Sequence, residues 1–298
     1  MRGQKSNLKS SIGFRGVLCS ERTGLRTRLW LGIFQVCLAN DIESKYLERK
    51  DYLSRYAHQR MVQKREASSD PSQEYGSEKA WSRALKEDLP RFIPFLQKKC
   101  GVEFHGRILE IGAGGAWLSG ELSKLPRVVE VVTTDFSSKL LKEHAPQVFK
   151  LLKAHTSKIT RMPADFHEMG FRTNYFDFVV SSSVLHHATN IVQVLREVKR
   201  VLKPGGRYVA IREPVWPLMK MKSRSKRSKS GPGGLPVNTY TLAHYKESFK
   251  QAAFPLEVKR VNLSRGLKYY VDKMVNGITH ARFAFIGIKR PVTHKTTA

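Results

Sequence analysis

The sequence predicts an α/β fold, a seven-stranded, mostly parallel sheet with helices on both faces, preceded by a helical extension. Three observations carry this expectation. Between residues 107 and 288, apolar β-prone runs alternate with segments of helical periodicity, the pattern of strand–helix–strand units. The first such run, Arg107 to Glu121 (R-I-L-E-I-G-A-G-G-A-W-L-S-G-E), passes abruptly from Ile108, Leu109 and Ile111 through Gly112, Gly114 and Gly115 into Ala116, Leu118 and Leu122. That is a strand, a tight glycine turn and a helix start. Finally, 298 residues of which 41% are hydrophobic suffice for a full α/β core with room for additions.

Glycines in such a turn let the main chain approach a ligand, while the first amides of the helix point into the same space. A dinucleotide site wants G-x-G-x-x-G, but Trp117 stands three places after Gly114. A phosphate-cradling loop would need Gly-Lys-Ser/Thr after the turn, and none is present. Glu110 points to a third ligand chemistry, because a carboxylate before the first glycine repels a pyrophosphate and suits a ligand carrying an ammonium. Here the sequence resembles the class I S-adenosylmethionine-dependent methyltransferases, whose first motif is (D/E)-x-G-x-G-x-G; Ala116 stands in place of the last glycine. A glycine turn that binds nothing remains an alternative at this point.

The remaining elements follow in order. Val128 to Thr134 reads as a second buried strand, ending in Asp135-Phe136-Ser137. Asp135 lies 25 residues past Glu110, about where a nucleotide-binding unit places the acid that accepts from both ribose hydroxyls. Ser137 and Ser138 cap a helix reaching about Leu152. Lys158 to Met162 is a short third strand followed by Pro163-Ala164-Asp165-Phe166. Tyr175 to Ser181 is the fourth, and Ser182-Ser183-Val184-Leu185-His186-His187 carries the chain out over the carboxyl edge, where open α/β sheets bind ligands. Ile191, Val194, Leu195, Val198 and Leu202 form the apolar stripe of a helix, and Lys203-Pro204-Gly205-Gly206 turns into a fifth strand, Arg207 to Ile211. Helical signals resume at Thr241, and Leu256 to Val261 and Arg282 to Ile288 supply strands six and seven.

The block F-D-x-V-x-S-x-x-x-x-H-H followed by L-x-x-V-x-R-V-L-K-P-G-G looks like the small-molecule branch of that methyltransferase family, which includes quinone and natural-product enzymes. The resemblance implies a Rossmann-like domain with S-adenosylmethionine as cofactor. It implies that Glu110, Gly112, Gly114, Gly115 and Ser182 lie around the cofactor, that Asp135 and Phe136 hold its ribose end, and that Asp165 with the Phe166 amide meets the adenine edge. It further implies in-line methyl transfer to an oxygen, nitrogen or carbon of a small-molecule acceptor, resting mainly on alignment. His186 or His187 is the candidate proton acceptor, imidazole being near its working pKa at neutral pH; the bland alternative is a histidine that merely packs. Two relatives are disfavoured by the same loop. Enzymes that methylate nucleobase amino groups usually carry Asp/Asn-Pro-Pro-aromatic where this chain has Ser181-Ser182-Ser183-Val184, and cytosine C5 enzymes need a cysteine where none lies beyond Cys100.

Charge organises the rest. The net charge is +28; residues 107 to 214 hold 16 Lys+Arg against 10 Asp+Glu, and residues 215 to 298 hold 17 against 3. A basic surface draws anions, so an anionic acceptor fits. Residues 1–40, with seven Lys/Arg and one acid, read as a basic tail or an organelle-targeting segment. Residues 41–100 read as a helical extension, one or two solvated helices up to Pro71 and an amphipathic region from Glu74 to Lys99 broken near Pro90 and Pro94. Residues 101–291 form the cofactor-binding domain, interrupted by a basic insertion at 219–235. A solvated loop is favoured for that insertion over a nucleic-acid footprint. A methyltransferase acting on RNA or protein, and a non-catalytic module that binds the cofactor or only keeps the fold, stay open as rival readings. Cys19, Cys37 and Cys100 match no disulfide or metal-ligand spacing, which favours a reducing compartment and a cytoplasmic location with no metal. No apolar run approaches the roughly 20 residues of a membrane-spanning helix, and nothing in the sequence sets the oligomeric state.

Overall fold

The computed structural model describes residues 45–48, 78–216, 240–264, 266–275 and 282–291. Residues 1–40, the basic insertion at 219–235 and most of the stretch from 41 to 71 lie outside them. The described chain forms a seven-stranded sheet in the order β3-β2-β1-β4-β5-β9-β8. Its strands are β1 (Gly106–Glu110), β2 (Val128–Asp135), β3 (Ile159–Pro163), β4 (Phe176–Ser182), β5 (Leu202–Ile211), β8 (Leu256–Arg260) and β9 (Phe283–Ile288). β9 runs antiparallel to both neighbours and every other pairing is parallel. β8 therefore points the same way as β1 to β5. A small parallel bridge joins β6 (Val215–Trp216) to β7 (Tyr240–Thr241), bringing together the two ends of the segment that contains the insertion.

Side chains alternate along each strand, so the sheet buries two apolar layers. Leu109, Val179, Tyr208, Ala210 and Phe285 face one layer, with α5 (Ile191–Val201) and α6 (Leu242–Gln251) packed on it. Ile108, Val180, Val209, Ile211 and Ile286 face the other, covered by α2 (Phe92–Cys100), α3 (Trp117–Ser123) and α4 (Ala145–Leu152). The capping chemistry explains the helix starts. Asn190 accepts from the Gln193 amide at 3.1 Å and Thr241 from the His244 amide at 3.2 Å.

Three boundaries differ from the sequence expectation. Ser137 Oγ accepts from the Leu140 amide at 3.3 Å as expected, but the chain first makes a π turn, Leu140–His144, before α4 begins beside Pro146. β5 starts at Leu202 rather than Arg207, pairing Leu202 with Phe176 across a register shift. The helical path from α1 (Glu78–Arg83) to α2 passes through a π turn and a short 3₁₀ turn holding Pro90, and Pro94 causes no break. Pro94 falls in the first turn of α2, where an amide has no helical acceptor to lose. At the far N-terminal side, Tyr46 and Leu47 are buried against the domain, and Leu47 bridges to Phe171. None of the described helices is long and apolar enough to cross a membrane.

Candidate active site

Parallel strands deliver the loops after β1, β2, β3, β4 and β5 to one edge of the sheet, and main-chain bonds stitch those loops together. The Ile111 amide donates to Val180 O at 3.0 Å, Ala113 to Thr134 O at 2.8 Å, Ala164 to Asp135 O at 3.1 Å and Ser183 to Ile211 O at 2.9 Å. In the glycine turn, Gly112 and Gly114 sit at φ +59° and +53°, left-handed positions that side chains rarely adopt. Val184 fills the space where a Gly112 Cβ would stand, 2.7 and 2.8 Å from its two γ carbons; at Gly114 nothing lies within 4 Å. One glycine is thus required by packing and the other leaves an open cradle. Ala116 takes φ 58°, the same left-handed conformation a glycine would adopt there.

Two of the expected cofactor residues also hold the protein's own elements together. A Cβ at Gly115 would meet the Trp81 ring at 3.1 Å, so its small size serves the helical extension, and only its main chain is left for a ligand. Glu110 is 1% exposed and accepts from the Ser119 amide at 2.8 Å and from the Ser119 hydroxyl. Thr133 Oγ1 in turn donates to Ser119 Oγ at 2.6 Å. Burial pushes the Glu110 carboxyl up to about 8, the Ser119 bonds opposing and the Asp135 charge adding to the rise. It anchors α3 to the sheet.

Asp135 ends β2 beside the cradle. Its Oδ2 accepts from the Gly114 amide at 2.7 Å and its Oδ1 from the Ser137 amide at 2.7 Å, so it shapes the turn as well as facing it. Phe136 packs half-buried against the core layer, as does Phe166. Asp165 is partly exposed at this edge, with 24% of its side chain accessible. Its Oδ1 accepts from both the main-chain amide and Nδ1 of His167, each at 2.8 Å. The Thr189 amide donates to His167 Nε2 at 3.1 Å, which makes that nitrogen an acceptor and puts the proton on Nδ1. His167 thereby ties the loop after β3 to the loop after β4.

The loop after β4 is held by a residue the sequence reading passed over. Glu213 is buried at the end of β5, and its carboxylate accepts from the amides of Val184, Leu185 and His186 at 2.8, 3.0 and 3.3 Å. It also meets His186 Nδ1 at 3.1 Å. The available signal was a lone acid ending a buried apolar strand, the same signal that singled out Glu110. The bond to a carboxylate leaves the basic lone pair of neutral His186 on Nε2. His187 lies against it, ring centroids 3.9 Å apart. Ser182 accepts from Arg212 Nη1 at 3.3 Å, and both Ser183 (φ 64°) and Arg212 (φ 62°) occupy the left-handed region. Such conformations on non-glycine residues cost about 1–3 kcal/mol each and gather at functional sites. At Arg212 the turn sends the following glutamate inward onto the amides of the neighbouring loop.

Residues 109–210 match the family described as methyltransferase domain. The chain is 38% identical over 129 residues to a polyketide synthase-nonribosomal peptide synthetase of Aspergillus clavatus, covering 41% of this chain and 3% of that one. It is 31% identical over 112 residues to the ubiquinone/menaquinone biosynthesis C-methyltransferase of Pseudomonas aeruginosa, covering 37% of this chain and 43% of that one. The chain thus spans less than half the length of either relative. Among solved structures, an S-adenosylmethionine dependent methyltransferase from Mesorhizobium loti superposes with a TM-score of 0.52 at 19% identity, over 69% of this chain and all of that one; the two share the fold.

Proposed function

We propose that the methyltransferase domain built around residues 109–210 binds S-adenosylmethionine at the carboxyl edge of the sheet and passes its methyl group to a small organic acceptor. The observation that carries this is the cradle at Gly114, open for 4 Å around the missing side chain and bordered by Asp135, which holds the Gly114 amide. A ligand with a ribose and an adenine, and no phosphate between them, fits the acids there. Asp135 accepts from the ribose hydroxyls, Asp165 from the adenine amino group, and the Phe166 amide donates to the ring. Bound in this way, the cofactor supplies a sulfonium methyl that is already activated, so alignment supplies most of the rate. Where the acceptor atom carries a proton, His186 takes it on Nε2, Glu213 fixing the ring from behind. The names of the Pseudomonas and Aspergillus relatives direct the acceptor search first to quinone precursors and polyketide intermediates.

The first experiment is a calorimetric titration of the protein with S-adenosylmethionine, with NADH as control and Asp135→Ala beside the wild type. Binding of the methyl donor alone is expected, weakened about tenfold or more by the substitution, since hydrogen bonds to a charged group contribute about 1.5–3 kcal/mol. Absence of S-adenosylmethionine binding by folded protein sinks the proposal.

A further inference from the structure

The helix α7 (Leu267–Val275) follows β8 at the same edge of the sheet from which the candidate site opens. Leu267, Tyr270, Val271 and Met274 recur at i, i+3, i+4 and i+7, the spacing of a single apolar stripe. On an ordinary surface helix that stripe faces the core. Here the four residues are 82, 67, 52 and 75% exposed. The other side of the helix is tethered, with Asn262 Nδ2 donating to Tyr269 O at 2.9 Å and Ser264 Oγ donating to Asp272. Asp272 is the only acid of α7 and is engaged there, leaving Lys268 and Lys273 to flank the stripe. A cleft of about 750 Å³ separates the start of α7 from the helical stretch 86–99; Lys86, Arg91, Lys98 and Lys99 line it together with Tyr269 and Tyr270, and Glu87 is the one carboxylate among the described residues that line it.

We propose that α7 and this cationic cleft seat the protein on the anionic surface of a lipid bilayer. The apolar stripe enters the boundary of the acyl chains, and the lysines take the head-group phosphates, as in helices that lie in the membrane interface. Charge complementarity selects this occupant. A second copy would bring a chain of net charge +28 and the same lysines face to face, and the basic residues 1–40 are repelled likewise. A nucleic acid would satisfy the lysines and offer nothing to Leu267, Val271 or Met274. A bilayer satisfies both chemistries at once. Such a membrane contact is independent of methyl transfer.

Flotation of the full chain with vesicles of phosphatidylcholine alone, and of phosphatidylcholine with phosphatidylglycerol, tests it. The protein is expected to float with the anionic vesicles only. The double substitution Leu267→Ser with Met274→Ser lowers the bound fraction by about tenfold or more, with the melting temperature unchanged because both side chains lie outside the core. Lys98→Ser with Lys99→Ser weakens binding most at low salt, and wild-type binding persists in part at about 0.5 M NaCl, where exposed charges are screened within a few ångströms. Two outcomes overturn the proposal. Failure to float hands this face to a protein partner; flotation untouched by the Leu267/Met274 substitutions assigns the lipid contact to basic residues elsewhere.

Discussion

Burial and hydrogen bonding act in opposite directions on the Glu110 carboxyl group. Loss of solvent raises its pKa, the bonds from Ser119 lower it, and the outcome is a group that titrates near 8 in place of 4.5. A carboxyl whose folded-state pKa lies above its unfolded value stabilises the fold fully below pH 4.5, and that contribution is lost as pH rises through about 8. The loss is on the order of a few kcal/mol. Glu110→Gln keeps an acceptor for the Ser119 amide and carries no charge at any pH. Urea unfolding of both proteins at pH 5 and pH 9 should therefore show the wild type losing stability relative to the variant across that interval. An equal difference at the two pH values would remove the buried, proton-bearing role assigned to Glu110. Glu213, also buried, accepts from three main-chain amides and meets the His186 imidazole, as a buried polar group must find partners.

The β1–α3 turn shows at the scale of an element what glycine spacing encodes and what it leaves unstated. The strand, the turn, the helix start and the placement of Asp135 were legible because they follow from local backbone chemistry and from the length of one strand–helix–strand unit. The succession of the parallel strands along the chain was legible for the same reason, whereas their order across the sheet comes from the structure. What each glycine faces was not, since Val184 arrives from 72 positions downstream and Trp81 from 34 upstream. Glu213 escaped notice on the same ground, its partners lying 27 to 29 residues away across the sheet edge. The two glycines should accordingly separate in experiment. Gly112→Ala meets both a left-handed backbone and the γ carbons of Val184, and is expected to lower stability by on the order of 3 kcal/mol. Gly114→Ala meets the backbone term alone, about 1–2 kcal/mol, but places its methyl in the open cradle and should weaken S-adenosylmethionine binding well beyond its effect on folding. Urea midpoints and calorimetric titration of the two variants measure both quantities. Equal effects of the two substitutions on both would dissolve the distinction between packing glycine and cradle glycine.

For the whole molecule, the decisive property is that one edge of the sheet collects loops from five parallel strands and bonds them to one another. A ligand held by Gly114, Asp135 and Asp165 spans three of those loops, and the remaining two are tied in through His167–Thr189 and through Glu213. Ligand binding should then stabilise the sheet as a unit and not one loop alone. Mass action sets the size: at a concentration of 100 times Kd the native state gains about 2.7 kcal/mol, which for a domain of this size raises Tm by about 5–10 °C. Thermal melts of the wild type with S-adenosylmethionine should show that rise, while NADH gives none and Asp135→Ala gives little at the same ligand concentration. The helical extension participates as well, because Trp81 backs the cradle at Gly115; Trp81→Ala should lower both the starting Tm and the increment. A full increment retained by Asp135→Ala would mean that the ligand stabilises the protein from somewhere other than the edge where these five loops meet.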